Sequence, residues 1–376
     1  MSKLRVAVIG LRFGEDFPPI YRNHPDVEYV GICDTNEELL KAYGDRYGFE
    51  RQHKSLDDVI ASGDYDAVHI TTPIHTHAEM SVKVLKAGLH CACTVPAATS
   101  IEELKAIVAA QKESGKNYMM METSVYTYQF LYVKDQMEKG NFGRIQLMKG
   151  AHYQDMENWP SYWLGLPPMH YATHAVAPLL CLADTRATEV HCYGSGVMRE
   201  ELTKQYGNPY PAETAIFRLE KEDIAAEVSR TLFHTVRSYV ESFNIYGEKM
   251  SFEWYLEDEK PYIFTCEETP NAQRGRSIGY EQVNAPDRQD LLPKEIAHHT
   301  QERLVFDANN PHLSVVQGGN HHGSHPHMVH EFVRSIVENR KPMIDAVTAA
   351  NWTAAGICAH ESAMQGGAAV QIPAFD

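Results

Sequence analysis

Nowhere in the 376 residues does an apolar run approach the roughly 18 consecutive residues of a membrane-spanning helix. No membrane partner is expected. The chain enters a strand pattern within a few residues of Met1, so no export signal is expected either, and the implied location is cytoplasmic. Positive charge is in short supply: 34 Lys and Arg stand against 50 Asp and Glu, a formal charge of −16. That balance disfavours phosphate-backbone binding, because proteins that hold nucleic acid concentrate Lys and Arg. A small-molecule ligand is expected, with no nucleic acid. Cysteine is sparse and odd in number. The seven residues, at 33, 91, 93, 181, 192, 266 and 358, are scattered through apparent strands and helices and read as reduced core residues, not as a disulfide framework. Internal repeats and low-complexity tracts are also missing. What remains is a 43% hydrophobic composition and enough length for two domains, each with its own core.

The first motif comes at once. Val6-Ala7-Val8-Ile9 runs into Gly10, and a second apolar run, 27–33, ends on Asp34. In a βαβ unit the first turn lets backbone approach a pyrophosphate, the helix N-terminus supplies N–H groups, and an acid after the second strand accepts the ribose hydroxyls. Asp34 would repel a 2′-phosphate, and Thr35 and Asn36 offer no arginine to accept one, so the expected cofactor is NAD. The turn Gly10-Leu11-Arg12-Phe13-Gly14-Glu15 keeps only the first glycine of GxGxxG in register. Gly10, Arg12 and Phe13 are its candidate cofactor contacts.

Apolar runs at 5–9, 27–33, 67–71, 90–93 and 118–121 alternate with helical patterns at 37–47, 56–61, 78–87 and 101–113. This is the sequence form of a doubly wound parallel sheet, a Rossmann domain over 1–126. Ser100 with Glu103 predicts a capping box, and Gly88 and Gly115 predict helix ends. Ligands of such sheets bind outside the carboxyl ends of the strands. Those ends carry Gly10, Asp34, Thr72-Pro73, Thr94-Val95-Pro96 and Glu122. Beyond about residue 127 the pattern changes: a helix at 128–139 precedes long β-rich segments at 145–153, 188–197, 214–233, 240–255 and 262–266. Their alternation predicts an α+β domain over 127–376 with an open antiparallel sheet, and amphipathic helices at 328–339 and 346–365.

On these residues the chain resembles the Gfo/Idh/MocA oxidoreductases. The resemblance rests on the Val-Ala-Val-Ile-Gly start, Asp34, Thr72-Pro73 with His77, Cys93-Thr94-Val95-Pro96 where the family usually reads Glu-Lys-Pro, and the segment from His170 to His174. It implies that Thr72, Pro73, His77, Thr94, Val95 and Glu122 line the cofactor. It also implies a sheet that often forms the interface of a homo-oligomer, here a dimer or tetramer. The departures are informative. The dehydrogenases place a lysine, an aspartate and a histidine around the hydroxyl being oxidised; here Val95 replaces the lysine and His170 stands at the aspartate. Val95 to Ala98, Met119 to Glu122 with Tyr126, and Tyr171-Ala172-Thr173-His174 followed by Pro178 are similar to the branch of NAD-dependent α-N-acetylgalactosaminidases. That branch oxidises a sugar hydroxyl, eliminates the aglycone, adds water and returns the hydride.

The residue types support the same chemistry. Hydride removal from a secondary alcohol leaves a proton to be collected, and a neutral imidazole suits that task. His174 is the first candidate, and a structural histidine on a buried helix face is its plain alternative. His170, expected one helical turn away on the same face, would share the proton or bind a sugar hydroxyl. Tyr126 is a candidate hydrogen-bond partner for a carbohydrate substrate. No metal is expected, since Tyr171 stands where the glutamate of HExxH would be. The histidine-rich segment 320–327 either lines the pocket or is solvated, and Trp159, Tyr162 and Trp163 either stack on a sugar or anchor a loop. The leading expectation is an NAD-dependent oxidoreductase acting on a sugar, glycoside or polyol. The alternatives are a redox-neutral glycoside hydrolase and a non-catalytic dinucleotide or sugar sensor.

Overall fold

The structure is a computed structural model that describes residues 3–221, 223–256, 259–267, 275–305 and 315–376. The N-terminal portion runs β1 (Leu4–Ile9), α1 (Phe17–Asn23), β2 (Val27–Cys33), α2 (Glu37–Tyr47), β3 (Gln52–His53), α3 (Leu56–Ser62), β4 (Ala67–Ile70), α4 (His77–Lys86), β5 (His90–Thr94), α5 (Ile101–Ser114) and β6 (Tyr118–Met121). The six strands form one parallel sheet in the order β3-β2-β1-β4-β5-β6, the doubly wound arrangement. Strands β4 and β6 are buried on both faces, which is why Ala67-Val68-His69-Ile70 and Tyr118-Met119-Met120-Met121 read as continuous, not alternating, runs. Local signals place the helices. Asn36 accepts the amides of Glu38 and Leu39, Ser100 and Glu103 make the expected capping box, and Gly115 ends α5 at φ 65°.

The middle portion holds α6 (Tyr128–Glu138), β7 (Ile145–Tyr153), α7 (Thr173–Leu182), β8 (Ala187–Ser195), α8 (Glu200–Tyr206), β9 (Ala212–Leu219), β10 (Ala225–Thr231), β11 (Val240–Gly247), β12 (Met250–Glu253), β13 (Tyr262–Glu267) and β14 (Ser277–Gln282). Then follow α9 (Lys294–Ala297), β15 (Arg303–Val305), β16 (Val315–Gln317), α10 (Asn320–Val337), α11 (Ala346–Met364) and β17 (Val370–Gln371). The large sheet has the order β14-β13-β12-β11-β7-β10-β9-β8-β17. It is mixed, not purely antiparallel, because β10 pairs with β7 in parallel. The reason is topological: β8, β9 and β10 run antiparallel in turn, and that alternation sets the direction of the last strand, which docks beside β7.

Two compact units result. The first comprises Met1–Thr127, Asp287–Ala350 and Phe375–Asp376; the second comprises Tyr128–Pro286 and Asn351–Ala374. The sequence reading gave all of 127–376 to one domain. Residues 287–350 instead belong with the Rossmann sheet, where α10 packs on α1 and on the short turn Thr123–Val125. No helix among the described residues is long and apolar enough to cross a membrane.

Many imidazoles are buried neutral. Burial pushes His69 and His170 down to about 3, and His24, His90, His299 and His327 to about 4. An unfolded histidine titrates near 6.5, so below that pH the unfolded chain binds protons that the native chain refuses. Stability present above pH 6.5 is therefore lost as pH falls towards 4, by about 1.4 kcal/mol per pH unit for a fully buried ring such as His69. Urea denaturation across this window is expected to show a steep drop in midpoint; a flat midpoint would show that these rings titrate normally.

Candidate active site

The nucleotide end of the first unit is built by backbone. Ile9 ends β1, and Gly10 turns the chain at φ 95°; a Cβ there would meet the Thr71 carbonyl oxygen at 2.8 Å. Asp34, just past β2, accepts the amides of Leu11 and Asn36, each at 2.8 Å. Its carboxylate is thus fixed beside the turn with lone pairs to spare for ribose hydroxyls, and neither Thr35 nor Asn36 could neutralise a 2′-phosphate. This much fits NAD. The helix N-terminus departs from expectation: Pro18 and Pro19 have no amide hydrogen, and the Phe17 amide bonds to Gly14 O at 3.2 Å. What this end of the sheet offers a pyrophosphate is the turn 10–15, not a row of helix amides. Arg12 and Phe13 are exposed on that turn.

The remaining cofactor candidates gather at the carboxyl ends of β4, β5 and β6. Thr72 Oγ1 lies 2.7 Å from Thr76 Oγ1, beside Pro73. The ring nitrogens of His77 lie 2.8 Å from the carbonyl oxygens of Thr72 and Pro96, so this imidazole braces two strand-end loops against each other. Thr94 Oγ1 donates to Ile70 O, and Val95 is buried. Glu122 is fully buried at the end of β6 and accepts the Ser124 amide, and Tyr126, also buried, closes that turn.

In the second unit the acid–base groups line up. Strand register sets Glu213 of β9 opposite Arg230 of β10, Arg230 opposite His152 of β7, and His152 opposite Glu241 of β11. In-register residues share a face of the sheet, and all four are buried. Helix α7 lies on β7, β10 and β11, and Gly150 of β7 permits the approach: a Cβ there would sit 2.1 Å from Ala175 O. This brings His174 Nδ1 to 3.2 Å from Glu241 Oε1 and leaves Nε2 3.1 Å from the Tyr171 hydroxyl. Tyr239 donates to the other Glu241 oxygen at 2.9 Å. A carboxylate can only accept, so it holds the imidazole proton on Nδ1 and turns the Nε2 lone pair towards Tyr171.

His170 does not share a helix face with His174. It lies in a separate 3₁₀ turn, Pro168–Tyr171, which Ala172 (φ −98°, ψ 0°) divides from α7. Its ring meets His360 edge-on at 5.0 Å, and His360 Nδ1 lies 2.7 Å from Glu213. The i, i+4 reading fails because the segment tightens to 3₁₀ before the helix begins. In the first unit, His321 and His322 adopt left-handed φ values of 45° and 50°, and the stretch folds over the start of α1. There His325 Nδ1 lies 3.4 Å from Asp16, to which Asn320 also donates. Burial would raise the Asp16 carboxyl, but these contacts outweigh it and hold the group below its usual range. Trp163 is buried against Tyr171 at 5.1 Å, an anchor under its loop, whereas Trp159 is partly exposed.

Sequence reasoning missed Glu241, Glu213, Arg230, His152 and His360. Each sits on a strand or helix where one charge reads as surface; alternation in Ala225–Thr231 was the available signal for Arg230, and the shared parity with Phe243 and Ile245 was that for Glu241.

Residues 4–122 match the family described as oxidoreductase family, NAD-binding Rossmann fold. A glycosyl hydrolase family 109 protein of Porphyromonas gingivalis is 29% identical over 203 residues, covering 49% of this chain and 43% of that protein. The chain thus spans less than half the length of this curated relative. Among solved structures, levoglucosan dehydrogenase in complex with NADH and levoglucosan is similar with a TM-score of 0.77 and 21% identity, covering 99% of this chain and 100% of that one. Myo-inositol 2-dehydrogenase from Lactobacillus plantarum gives 0.72 and 16%, with the same coverage. These two likenesses establish the fold, and the relatives are sugar-acting enzymes by name. Residues 4–122 thus form an NAD-binding Rossmann domain of the Gfo/Idh/MocA oxidoreductase type.

Proposed function

We propose that this protein removes a hydride from a secondary hydroxyl of a sugar, glycoside or polyol and delivers it to NAD. The observation that carries the reading is the buried Glu241–His174–Tyr171 chain, a carboxylate-oriented imidazole with its basic nitrogen aimed at a phenol. NAD supplies the hydride acceptor. As the C–H electron pair leaves, Tyr171 gives its hydroxyl proton to His174 Nε2 and takes the substrate's hydroxyl proton in its place, the carbonyl forms, and Glu241 offsets the positive charge on the ring. Asp34 would hold the adenosine ribose, and the Gly10 turn would give the pyrophosphate room to approach the backbone.

A second reading has specific support. Val95 replaces the lysine that family dehydrogenases use, and the curated relative is by name a glycosyl hydrolase. In that reading the oxidation is transient: the new carbonyl acidifies the adjacent C–H, the aglycone departs, water adds and the hydride returns. The test is incubation of purified protein with NAD and a panel of polyols, sugars and aryl glycosides, following NADH absorbance and aglycone release together. Accumulating NADH supports the oxidoreductase, aglycone without NADH supports the redox-neutral hydrolase, and silence on both channels despite tight NAD binding rejects both in favour of a sensor.

A further inference from the structure

A fully buried guanidinium stands in the middle of the ionisable row. Arg230 has no exposed surface, and its recorded donors go to neutral acceptors: Nε to Tyr171 O at 2.9 Å, Nη1 to the carbonyls of His152 (3.0 Å) and Thr231, and Nη2 to Gln154 Oε1 at 3.2 Å. Burying a cation among neutral partners costs several kcal/mol. A chain needing only a well-packed strand would place an apolar side chain there. Of the four acceptors, one belongs to the turn that carries Tyr171, one to β7, one to Gln154 just past β7 and one to β10, so one planar fork fixes that turn against two strands. The guanidinium carbon also lies 5.2 Å from the centre of the Tyr171 ring, whose hydroxyl contacts His174. Desolvation pulls the Arg230 group down to about 10, while Tyr171, Tyr239 and Glu241 act in the opposite sense. The cation and the Glu241 carboxylate thus interact across the row.

We propose that Arg230 is a positioning residue for proton transfer: it locks the Tyr171 turn onto the sheet and, as a fixed positive charge, keeps the His174 imidazole neutral and ready to accept a proton. This rests on the reading of His174 as the base. The groups facing His174 within its own unit include Glu241 and Tyr239 on the β11 side, His152 on β7, Tyr171 on its own segment and, behind Tyr171, Arg230. Of these, Glu241 favours the imidazolium and Arg230 opposes it. The carboxylate alone would leave the ring protonated to higher pH, and a protonated ring cannot accept the substrate's proton. With the cation gone, the acid limb of the kcat profile must move to higher pH, by roughly one unit for a charge acting across a partly screened distance.

Two substitutions separate charge from geometry. R230M keeps bulk and loses both; R230K keeps the charge, but its single ammonium cannot reach four acceptors on three segments. In R230M the acid limb of kcat and the His174 ring-nitrogen titration, followed by NMR on the full chain without cofactor and assigned by H174N, are expected to rise together by about one unit. In R230K both stay near wild type while kcat falls about tenfold and KM changes little, the pattern of a misplaced acceptor. Should R230M fail to fold, R230Q, whose amide can still donate to a carbonyl, is read in the same way. A wild-type titration of His174 in a folded neutral variant, or wild-type kcat in R230K, overturns the proposal. Absence of turnover by the wild-type protein on the sugar panel would sink the functional reading, yet the NMR titration would still decide whether Arg230 controls the ring.

Discussion

Replacement of His174 by asparagine is expected to reduce turnover by about 10² or more at saturating substrate while leaving NAD affinity intact. Asparagine retains an amide donor for Glu241 and so avoids stranding a buried carboxylate, which would cost several kcal/mol if the partner became apolar. What it lacks is a nitrogen lone pair that can accept a proton near neutral pH. The loss should therefore fall on kcat, since the missing interaction develops as the C–H bond breaks. Affinity for NAD should hold because Asp34 and the Gly10 turn belong to the first unit, whereas His174 belongs to the second. Steady-state kinetics with calorimetry on NAD decides this: wild-type kcat in H174N would remove the imidazole from the mechanism.

The second large effect is on cofactor choice. Asp34→Ala removes the acceptor for the ribose hydroxyls and the charge that rejects a 2′-phosphate, so NAD should bind roughly 10- to 100-fold more weakly while NADP loses its electrostatic penalty. The carboxylate also accepts the Leu11 and Asn36 amides, so part of the loss comes from a turn that is no longer held in place. Only the ratio between the two nucleotides isolates the charge. Calorimetric titration of wild type and D34A with each nucleotide gives that ratio; an unchanged preference would mean that the ribose lies elsewhere.

The Rossmann half was legible because its signals are local. Strand runs, the capping box at Ser100, the Gly115 helix end and the acid at position 34 each depend on neighbours within a few residues. The parallel pairing of β10 with β7 was not legible, since alternation marks a strand without saying which partner it takes. The site followed the same rule. His174 could be singled out from its segment, but Glu241 and Arg230 come from strands 67 and 56 positions downstream and meet it through sheet register. His170 illustrates the reverse error: a spacing of four implied a shared helix face, and one non-helical residue, Ala172, sent one ring to the Glu241 carboxylate and the other against the His360 ring.

The interrupted path of the first unit bears on how the protein is made and dissected. A fragment ending near residue 127 would carry all six strands of the parallel sheet yet lack α10, whose buried Met328, Val329, Phe332 and Val333 serve a helix that packs on α1 and on the Thr123–Val125 turn. Such a fragment would emerge from the ribosome with an oily flank bare. The nucleotide-holding half thus waits for some 220 further residues of synthesis before it can close its own interior, a delay that arises from a chain that leaves, builds another body and returns.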